Sequence, residues 1–195
     1  MNTPPIDAKP ALRRDLRERR RRLKRERPDA AVRAAQAFAA VLPGFGTIRM
    51  ASIYHPLGTE LDPYPVAAVL RRAGVEICLP VSVARDAPLI FRLLRDGDAM
   101  HLDAAGVMTA GPDSPEVRPD LIVAPLMAFD GSGVRLGQGG GYYDRTLAAL
   151  RQAGAPVLVM GLAYAGQAVD LLPRGPHDQK LDAVLTEDGF KRFDA

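Results

Sequence analysis

Apolar residues recur at helical spacing in four stretches of the chain. In the first, Leu12, Leu16 and Leu23 form a narrow apolar stripe within a charged segment. This stripe predicts a helix from about Lys9 to Arg27, which stops before Pro28. Three further helices are predicted from the same spacing and from Pro and Gly at their ends. They run from the capping residue Asp29 to the break at Pro43-Gly44, from Asp62-Pro63 to Gly74, and over residues 142–152.

Between the helices lie short apolar runs, several of them continuous, that predict strands. These runs are Thr47–Tyr54, Val75–Leu79, Pro88–Leu93, Leu121–Ala124, Pro156–Leu162 and Leu181–Leu185, whereas residues 95–119 read as mostly irregular. Helices that alternate with buried strands predict a three-layer α/β fold, in which a mainly parallel sheet is flanked by helices on both faces. Neither an internal repeat nor a clear boundary divides the sequence, so residues 1–195 are predicted to form a single domain.

Composition places the chain among soluble globular proteins. Of its 195 residues, 47% are hydrophobic and 25% charged. No apolar run is long enough to span a bilayer, and the N-terminus lacks the apolar region of a secretory signal, so we expect a cytoplasmic protein that does not bind a membrane. The single cysteine, Cys78, excludes an internal disulfide and reads as a buried thiol in a strand. We expect a monomer.

The charge of the chain is concentrated near its start. The net charge is only +3, but residues 13–28 read RRDLRERRRRLKRERP. Asp15, Glu18 and Glu26 are interleaved with the arginines, which is typical of a solvated helix. An arm that binds nucleic acid is the alternative interpretation. It is the weaker one because no aromatic residue accompanies the basic run, and we expect no nucleic-acid partner.

A glycine-rich loop carries the clearest sign of chemistry. It follows the apolar run 121–129 and is densest at 137–141, directly before the helix at 142–152. Loops of this kind bring backbone N–H groups and a helix N-terminus to phosphate, and ligands of parallel α/β folds bind beyond the carboxyl ends of the strands. The spacing fits neither a Walker A nor a dinucleotide motif. A plain turn is the alternative, but Arg135, Asp144 and Arg145 supply the charges that a polyphosphate site needs.

At RLGQGGGYYD the chain resembles the 5-formyltetrahydrofolate cyclo-ligase family, also called methenyltetrahydrofolate synthetases. Further matches follow the order of the family's motifs over nearly the whole chain. They are Lys9 and Arg13, YHPLGTE at 54–60, LPV at 79–81, PLMAFD at 125–130, Gln167, Leu172-Pro173, His177-Asp178 and Thr186-Glu187. The resemblance implies a Rossmann-like fold of the NagB/RpiA/CoA transferase kind. It also implies the ATP-dependent conversion of 5-formyltetrahydrofolate to 5,10-methenyltetrahydrofolate, with ADP and phosphate as products.

The resemblance also implies roles for individual residues. The basic helix at about 9–27 and the glycine loop are implied to bind ATP, the co-substrate. The implied contact residues are Lys9, Arg13, Arg135, Leu136, Gly137, Gln138, Gly139, Gly140, Gly141, Tyr142 and Tyr143. Implied folate contacts are His55, Glu60, Gln138, Gly139, Gly140, Gly141 and Tyr142. Asp144 and Asp178 are the implied ligands of Mg²⁺, and Arg135 and Arg145 stabilise charge at the transferring phosphate. His177 and Gln167 border the implied site.

From the residues alone, other interpretations stay open. Lys9 and Arg13 share a helix face that could simply be solvated, and Asp144 could only complement the helix dipole. At the level of function, a diverged relative could use ATP on another substrate, and a regulatory protein could bind folate without converting it. Retention of Glu60 and of His177-Asp178 favours the folate substrate over the first of these two.

Overall fold

The structure, a computed structural model, describes residues 5–194, and four α-helices occur in that range. They are α1 (Lys9–Glu26), α2 (Ala30–Val41), α3 (Tyr64–Arg72) and α4 (Tyr142–Gln152). Each lies where the apolar spacing predicted it, to within a few residues at the ends. No helix of residues 5–194 has the length and apolar character needed to cross a membrane.

Seven strands form one sheet in the order β11-β10-β9-β6-β1-β2-β3. They are β1 (Met50–Ser52), β2 (Glu76–Val81), β3 (Ile90–Leu93), β6 (Leu121–Pro125), β9 (Leu158–Leu162), β10 (Ala183–Thr186) and β11 (Gly189–Arg192). The five central strands run parallel, while β3 and β11 pair antiparallel at the two edges. Two small hairpins lie outside this sheet: β4 (Met100–Leu102) with β5 (Met108–Ala110), and β7 (Ala128–Phe129) with β8 (Arg135–Leu136).

Both faces of the sheet are covered, which confirms the predicted three-layer α/β architecture. Successive residues of a strand point to opposite faces of the sheet. Consecutive side chains of β2 therefore pack in the hydrophobic cores on the two sides of the sheet. Ile77 packs in the core formed with α2 and α3, around Phe38 and Leu70. Cys78 packs in the core formed with α4, around Leu147. Burial raises the pKa of the Cys78 thiol to about 12, as expected for the predicted inert thiol of a strand.

Residues 95–119 are mostly irregular, as predicted, apart from the short strands β4 and β5. These two strands pair around a turn held by Asp103. The Asp103 Oδ1 atom accepts hydrogen bonds from the N–H groups of Ala105 and Val107. β11 was not predicted, and the strand expected over Thr47–Tyr54 is assigned only over Met50–Ser52.

The topology fixes where a ligand can bind. From β1, the parallel sheet extends through β2 on one side and through β6, β9 and β10 on the other. The chain therefore leaves β1 and β6 in opposite directions, which opens a crevice at their carboxyl ends. The glycine loop predicted to bind phosphate lies at this same edge, between β8 and α4.

Candidate active site

A cavity of about 480 Å³ opens at the carboxyl ends of the parallel strands. Its walls come from the ends of β1, β2 and β6, from the β4–β5 hairpin, from the glycine loop and from the first turns of α1. Leu57, Leu89, Val107 and Met108 contribute apolar side chains to its lining. Charged side chains also line the cavity. A volume of this size is typical of small-molecule sites.

The side chains of two arginines from outside the glycine loop donate hydrogen bonds to its backbone carbonyls. Arg13 Nε donates to the carbonyl of Gly137 at 3.0 Å, and Arg145 Nη2 donates to the carbonyl of Gly140 at 2.8 Å. Gly139 has φ +109° and Gly141 has φ +68°, which are backbone conformations that favour glycine. Gly141 then caps α4, so the loop leads directly into a helix N-terminus.

Two ion pairs stand beside the loop. Lys9 Nζ lies 2.5 Å from Asp178 Oδ2, and Arg135 Nη2 lies 2.9 Å from Asp144 Oδ1. Asp144 Oδ1 also accepts a hydrogen bond from the N–H of Gln179 at 3.0 Å, and Arg135 donates to the carbonyl of Gln179. Two cations from distant parts of the chain therefore meet two carboxylates at one corner of the cavity.

The pKa of Asp178 is lowered from its ordinary value. Burial alone opposes ionisation, but hydrogen bonds from Lys9 and from the N–H of Gly175 outweigh that effect. A carboxyl group with a depressed pKa stabilises the fold above its unfolded pKa, and this contribution is lost as the pH falls through the folded pKa.

Asp178→Asn is therefore expected to destabilise the protein at neutral pH but not in acid. The expected loss at pH 7 is about 1.5–3 kcal/mol, the range for hydrogen bonds to charged groups. The difference from the wild type should shrink below about pH 4, where an unfolded aspartate takes up its proton. Urea unfolding across this pH range measures it, with the exposed Asp170 as a matched site for Asp170→Asn. A difference between Asp178→Asn and the wild type that does not change with pH would contradict the expectation.

Glu60 lies at the other end of the cavity and is only 6% exposed. Its Oε2 accepts from the N–H of Leu57 at 2.9 Å, and its Oε1 accepts from Gln138 Nε2 at 3.1 Å. The guanidinium of Arg20 lies 3.6 Å from Oε1. Burial raises the pKa of Tyr143, which also lines the cavity, so its phenol stays neutral near this carboxylate. Glu60 can therefore offer carboxylate lone pairs to a planar ligand that presents N–H donors.

Comparison with known proteins matches both the fold and the full span of this site. A sequence model described as the 5-formyltetrahydrofolate cyclo-ligase family matches residues 5–187. The chain belongs to this family. The 5-formyltetrahydrofolate cyclo-ligase of Escherichia coli (strain K12) is 31% identical over 176 residues, which are 88% of this chain and 96% of that protein. Membership makes the chain a ligase.

Two further relatives agree. The 5-formyltetrahydrofolate cyclo-ligase of Mycolicibacterium smegmatis (strain ATCC 700084 / mc(2)155) is 33% identical over 149 residues, covering 71% of this chain and 73% of that protein. The NMR structure of 5,10-methenyltetrahydrofolate synthetase from Aquifex aeolicus superposes with a TM-score of 0.79 at 27% identity. That superposition covers 96% of this chain and 94% of the other. The fold expected from the resemblance is therefore the fold of this chain, and the Aquifex aeolicus relative shares it.

Most residues singled out from the sequence converge in this family member's cavity, although they come from four separate segments of the chain. The cavity is lined by Lys9, Arg13, His55, Glu60, Arg135, Leu136, Gly137, Gln138, Gly139, Gly140, Gly141, Tyr142, Tyr143, Asp144 and Asp178. His55 forms part of the wall, and its Nδ1 lies 3.0 Å from the hydroxyl of Tyr64. Tyr143 also packs against the apolar core beneath α4.

Three residues singled out from the sequence do not line the cavity of this cyclo-ligase. Arg145 donates to the carbonyl of Gly140 in the glycine loop, and its Cζ lies 5.1 Å from the centroid of the Tyr142 ring. His177 is exposed. Gln167 is buried behind the site, where its Nε2 donates to the carbonyls of Leu126 and Met127 and so fixes the chain that follows β6.

Arg20 is a residue near the site that the sequence analysis did not single out. It was grouped with the solvated arginines, yet it is only 4% exposed. A signal was present, because Arg20 falls between Leu16 and Leu23 on the apolar stripe of α1. An arginine at a buried helical position requires acceptors within the protein, and those acceptors belong to the segments around Glu60 and Leu126.

Proposed function

We propose that this chain converts 5-formyltetrahydrofolate and ATP to 5,10-methenyltetrahydrofolate, ADP and phosphate. The single observation that carries the proposal is the presence of both ends of such a site in one cavity. Lys9, Arg13 and Arg135 surround the glycine loop at one end, and Glu60 lies at the other. The names of the Escherichia coli and Aquifex aeolicus relatives support the same substrate and product.

At the phosphate end, the chain binds and neutralises ATP. The formyl oxygen of the folate attacks the γ-phosphorus of ATP, and the bond to the ADP oxygen breaks. The N10 amine then closes the ring on the activated carbon and loses its proton, and the bond from that carbon to the phosphate oxygen breaks, which releases phosphate. No enzyme nucleophile is needed, so catalysis depends on holding the substrates in line and on stabilising phosphate charge. Lys9 and Arg135 supply that charge, and Arg13 and Arg145 keep the glycine loop in shape.

Asp144 and Asp178 would hold Mg²⁺ with the nucleotide. Within residues 5–194 no group of three metal-ligating side chains comes together. Mg²⁺ usually takes one or two carboxylates plus phosphate oxygens and waters, and this pair of hard oxygen ligands fits that pattern. Bound there, the ion would neutralise charge on the phosphates. Lys9 and Arg135, which pair with these two carboxylates, would donate to phosphate oxygens of the nucleotide.

At the folate end, Glu60 would pair with the amino-pyrimidinone edge of the pterin. That edge presents N–H donors, and a carboxylate accepts them through two hydrogen bonds. Tyr142 would pack against an aromatic ring of the substrate. Gln138 would adjust to the ligand, because it is exposed and already donates to Glu60 at 3.1 Å.

The direct test mixes purified protein with 5-formyltetrahydrofolate, ATP and Mg²⁺ and follows the near-ultraviolet band of the methenyl product. The proposal expects a rise that requires both ATP and Mg²⁺. A folded protein that binds ATP but gives no rise would overturn it in favour of another acceptor substrate. Binding of both ligands without turnover would instead identify a regulatory folate-binding protein.

Gly139→Ala is expected to weaken ATP binding selectively. At φ +109° a side chain is strained, and a Cβ there would lie 3.2 Å from Arg13 Cζ, which helps hold the loop. The KM for ATP should rise about tenfold, which corresponds to the low end of the strain cost of such a conformation. Gly131→Ala is the matched control, since Gly131 does not line the cavity and a Cβ at that position meets nothing within 4 Å. Equal KM values for ATP in the two variants would contradict the expectation.

Other properties inferred from the sequence stay proposals. We propose a single domain over residues 1–195, although residues 1–4 and 195 lie outside the described part of the chain. A monomeric, cytoplasmic protein without nucleic-acid or membrane partners also stays a prediction. Analytical ultracentrifugation tests whether the protein is a monomer. Repeating the measurement with nucleic acid present tests whether the protein binds it.

A further inference from the structure

Arg20 lies behind the folate end of the cavity and is not part of its wall. It belongs to the buried stripe of α1, together with Leu16 and Leu23. Burial lowers the pKa of Arg20, and the nearby Glu60 carboxylate opposes that effect. Arginine nevertheless titrates far above neutral pH, so the guanidinium keeps its charge. A buried cation of this kind is stable only if acceptors surround it.

The acceptors of Arg20 belong to two segments that meet at the cavity. Its Nε donates to Thr59 Oγ1 at 3.0 Å, and its Nη1 donates to the carbonyl of Leu126 at 3.2 Å. The same Nη1 lies 3.6 Å from Glu60 Oε1. Thr59 and Glu60 follow β1, whereas Leu126 follows β6, and these strands are neighbours where the crevice opens. One side chain therefore joins the two segments that leave the sheet on either side of the crevice.

We infer that Arg20 is a positioning residue for Glu60, whose carboxylate it holds in a fixed orientation towards the cavity. The inference rests on the proposed function, because it takes Glu60 as the pterin-binding carboxylate. Two hydrogen bonds to a planar ligand require both oxygens of Glu60 in a fixed plane. The N–H of Leu57 fixes one oxygen, and Arg20 supplies the charge that stabilises the other.

Docking of α1 does not depend on Arg20 alone. Arg13 donates to the carbonyl of Gly137, and Lys24 Nζ donates to the carbonyl of Gly58 at 2.7 Å. Arg27, just beyond the end of α1, lies 3.4 Å from the buried carboxylate of Glu187. The ATP end of the helix therefore keeps its own contacts when Arg20 is replaced. A selective effect on folate then distinguishes positioning of Glu60 from general support of the helix.

The test compares Arg20→Met and Arg20→Lys with a matched control, Arg27→Met. Arg27 also belongs to the α1 region and pairs with a buried carboxylate, but Glu187 lies outside the cavity. Calorimetry measures the Kd for 5-formyltetrahydrofolate, and steady-state kinetics give the KM of each substrate. For Arg20→Met the folate Kd is expected to rise about tenfold to a hundredfold, as when an outer partner of a ligating group is removed. The KM for ATP should stay near the wild-type value, Arg20→Lys should recover part of the affinity, and Arg27→Met should leave folate binding intact.

A double-mutant cycle with Glu60→Gln measures the coupling between Arg20 and Glu60 in folate binding. A purely structural role of Arg20 would give no such coupling. If Arg20 acts through Glu60, Arg20→Lys should weaken folate binding in the wild-type background and have little further effect in Glu60→Gln. Wild-type folate affinity in a folded Arg20→Lys or Arg20→Met variant would overturn the inference, and so would equal rises in the KM for folate and for ATP. Failure of the wild type itself to bind or convert 5-formyltetrahydrofolate would overturn the proposed function first, before any variant is compared.

Discussion

Arg135→Gln is expected to reduce kcat by about a thousandfold or more, the range attributed to arginines that stabilise a transferring phosphoryl group. Arg135 is only 7% exposed, lines the cavity and bridges Asp144 and the carbonyl of Gln179. Its two η-nitrogens are therefore already oriented before ATP arrives. Charge on the phosphate oxygens is redistributed in the transition state, so kcat should fall more than the KM for ATP rises. Initial rates at saturating ATP and folate measure the effect.

Arg151→Gln is the matched control for this measurement. Arg151 lies on the same side of the molecule and donates to Gln179 Oε1 at 2.9 Å, but it does not line the cavity. It should keep nearly wild-type kcat. Arg135→Lys should recover only part of the loss, because one ammonium group cannot reproduce the fork of a guanidinium. If folded Arg135→Gln retained kcat within about tenfold of the wild type, the role of Arg135 at the transferring phosphate would be wrong.

Glu60→Gln is expected to raise the KM for 5-formyltetrahydrofolate by at least about a hundredfold. A site that binds its ligand through hydrogen bonds loses much affinity when one buried partner is mismatched. The amide has nearly the shape of the carboxylate, so packing around this buried side chain is preserved. One of its two acceptors becomes an NH₂ group, which would face the N–H donors of a pterin. Folate titrations at saturating ATP measure the change, and the KM for ATP serves as an internal reference.

Glu187→Gln is the control for a buried glutamate outside the cavity. Glu187 Oε2 accepts from the N–H of Ala165 at 2.7 Å, and the carboxylate pairs with Arg27, so this variant should lose stability and keep its KM values. A folded Glu60→Gln enzyme whose folate KM stays within about threefold of the wild type would show that another group binds the pterin. In that case Arg20 would lose its proposed role as well.

Much of the fold could be predicted because local sequence and tertiary contacts agree. The spacing of Leu12, Leu16 and Leu23 predicts α1, and the alternation of helices with apolar runs predicts a covered parallel sheet. These signals are strong because both faces of the central strands are buried, as Ile77 and Cys78 illustrate. β11 and the strands of the small hairpins were not predicted individually, because they are two to four residues long and, unlike β1 and β10, have no apolar run of their own. Segments of that length carry too few positions for a period to show.

The residues of the candidate site could be found from their order along the chain, but their partners could not. Motif order indicated Lys9, Arg135, Asp144 and Asp178 individually. Only the folded chain pairs Lys9 with Asp178, 169 positions away, and Arg135 with Asp144. The sequence also predicted Arg145 at the transferring phosphate, which stays a prediction; in the structure its guanidinium donates to the carbonyl of Gly140 and lies over the ring of Tyr142. Which way a side chain at a helix start points depends on what packs against that helix.

The sequence by itself determined the fold class, the family motifs and the glycine loop, since each is encoded in contiguous residues. The tertiary structure alone decided the environment of each charge. Arg20 belongs to a run of arginines that looks uniform in the sequence, yet it is buried against Glu60 and Leu126 while Arg21 and Arg22 are exposed. The physical reason is that charge and period are properties of a segment, whereas desolvation and pairing depend on segments brought together from across the chain.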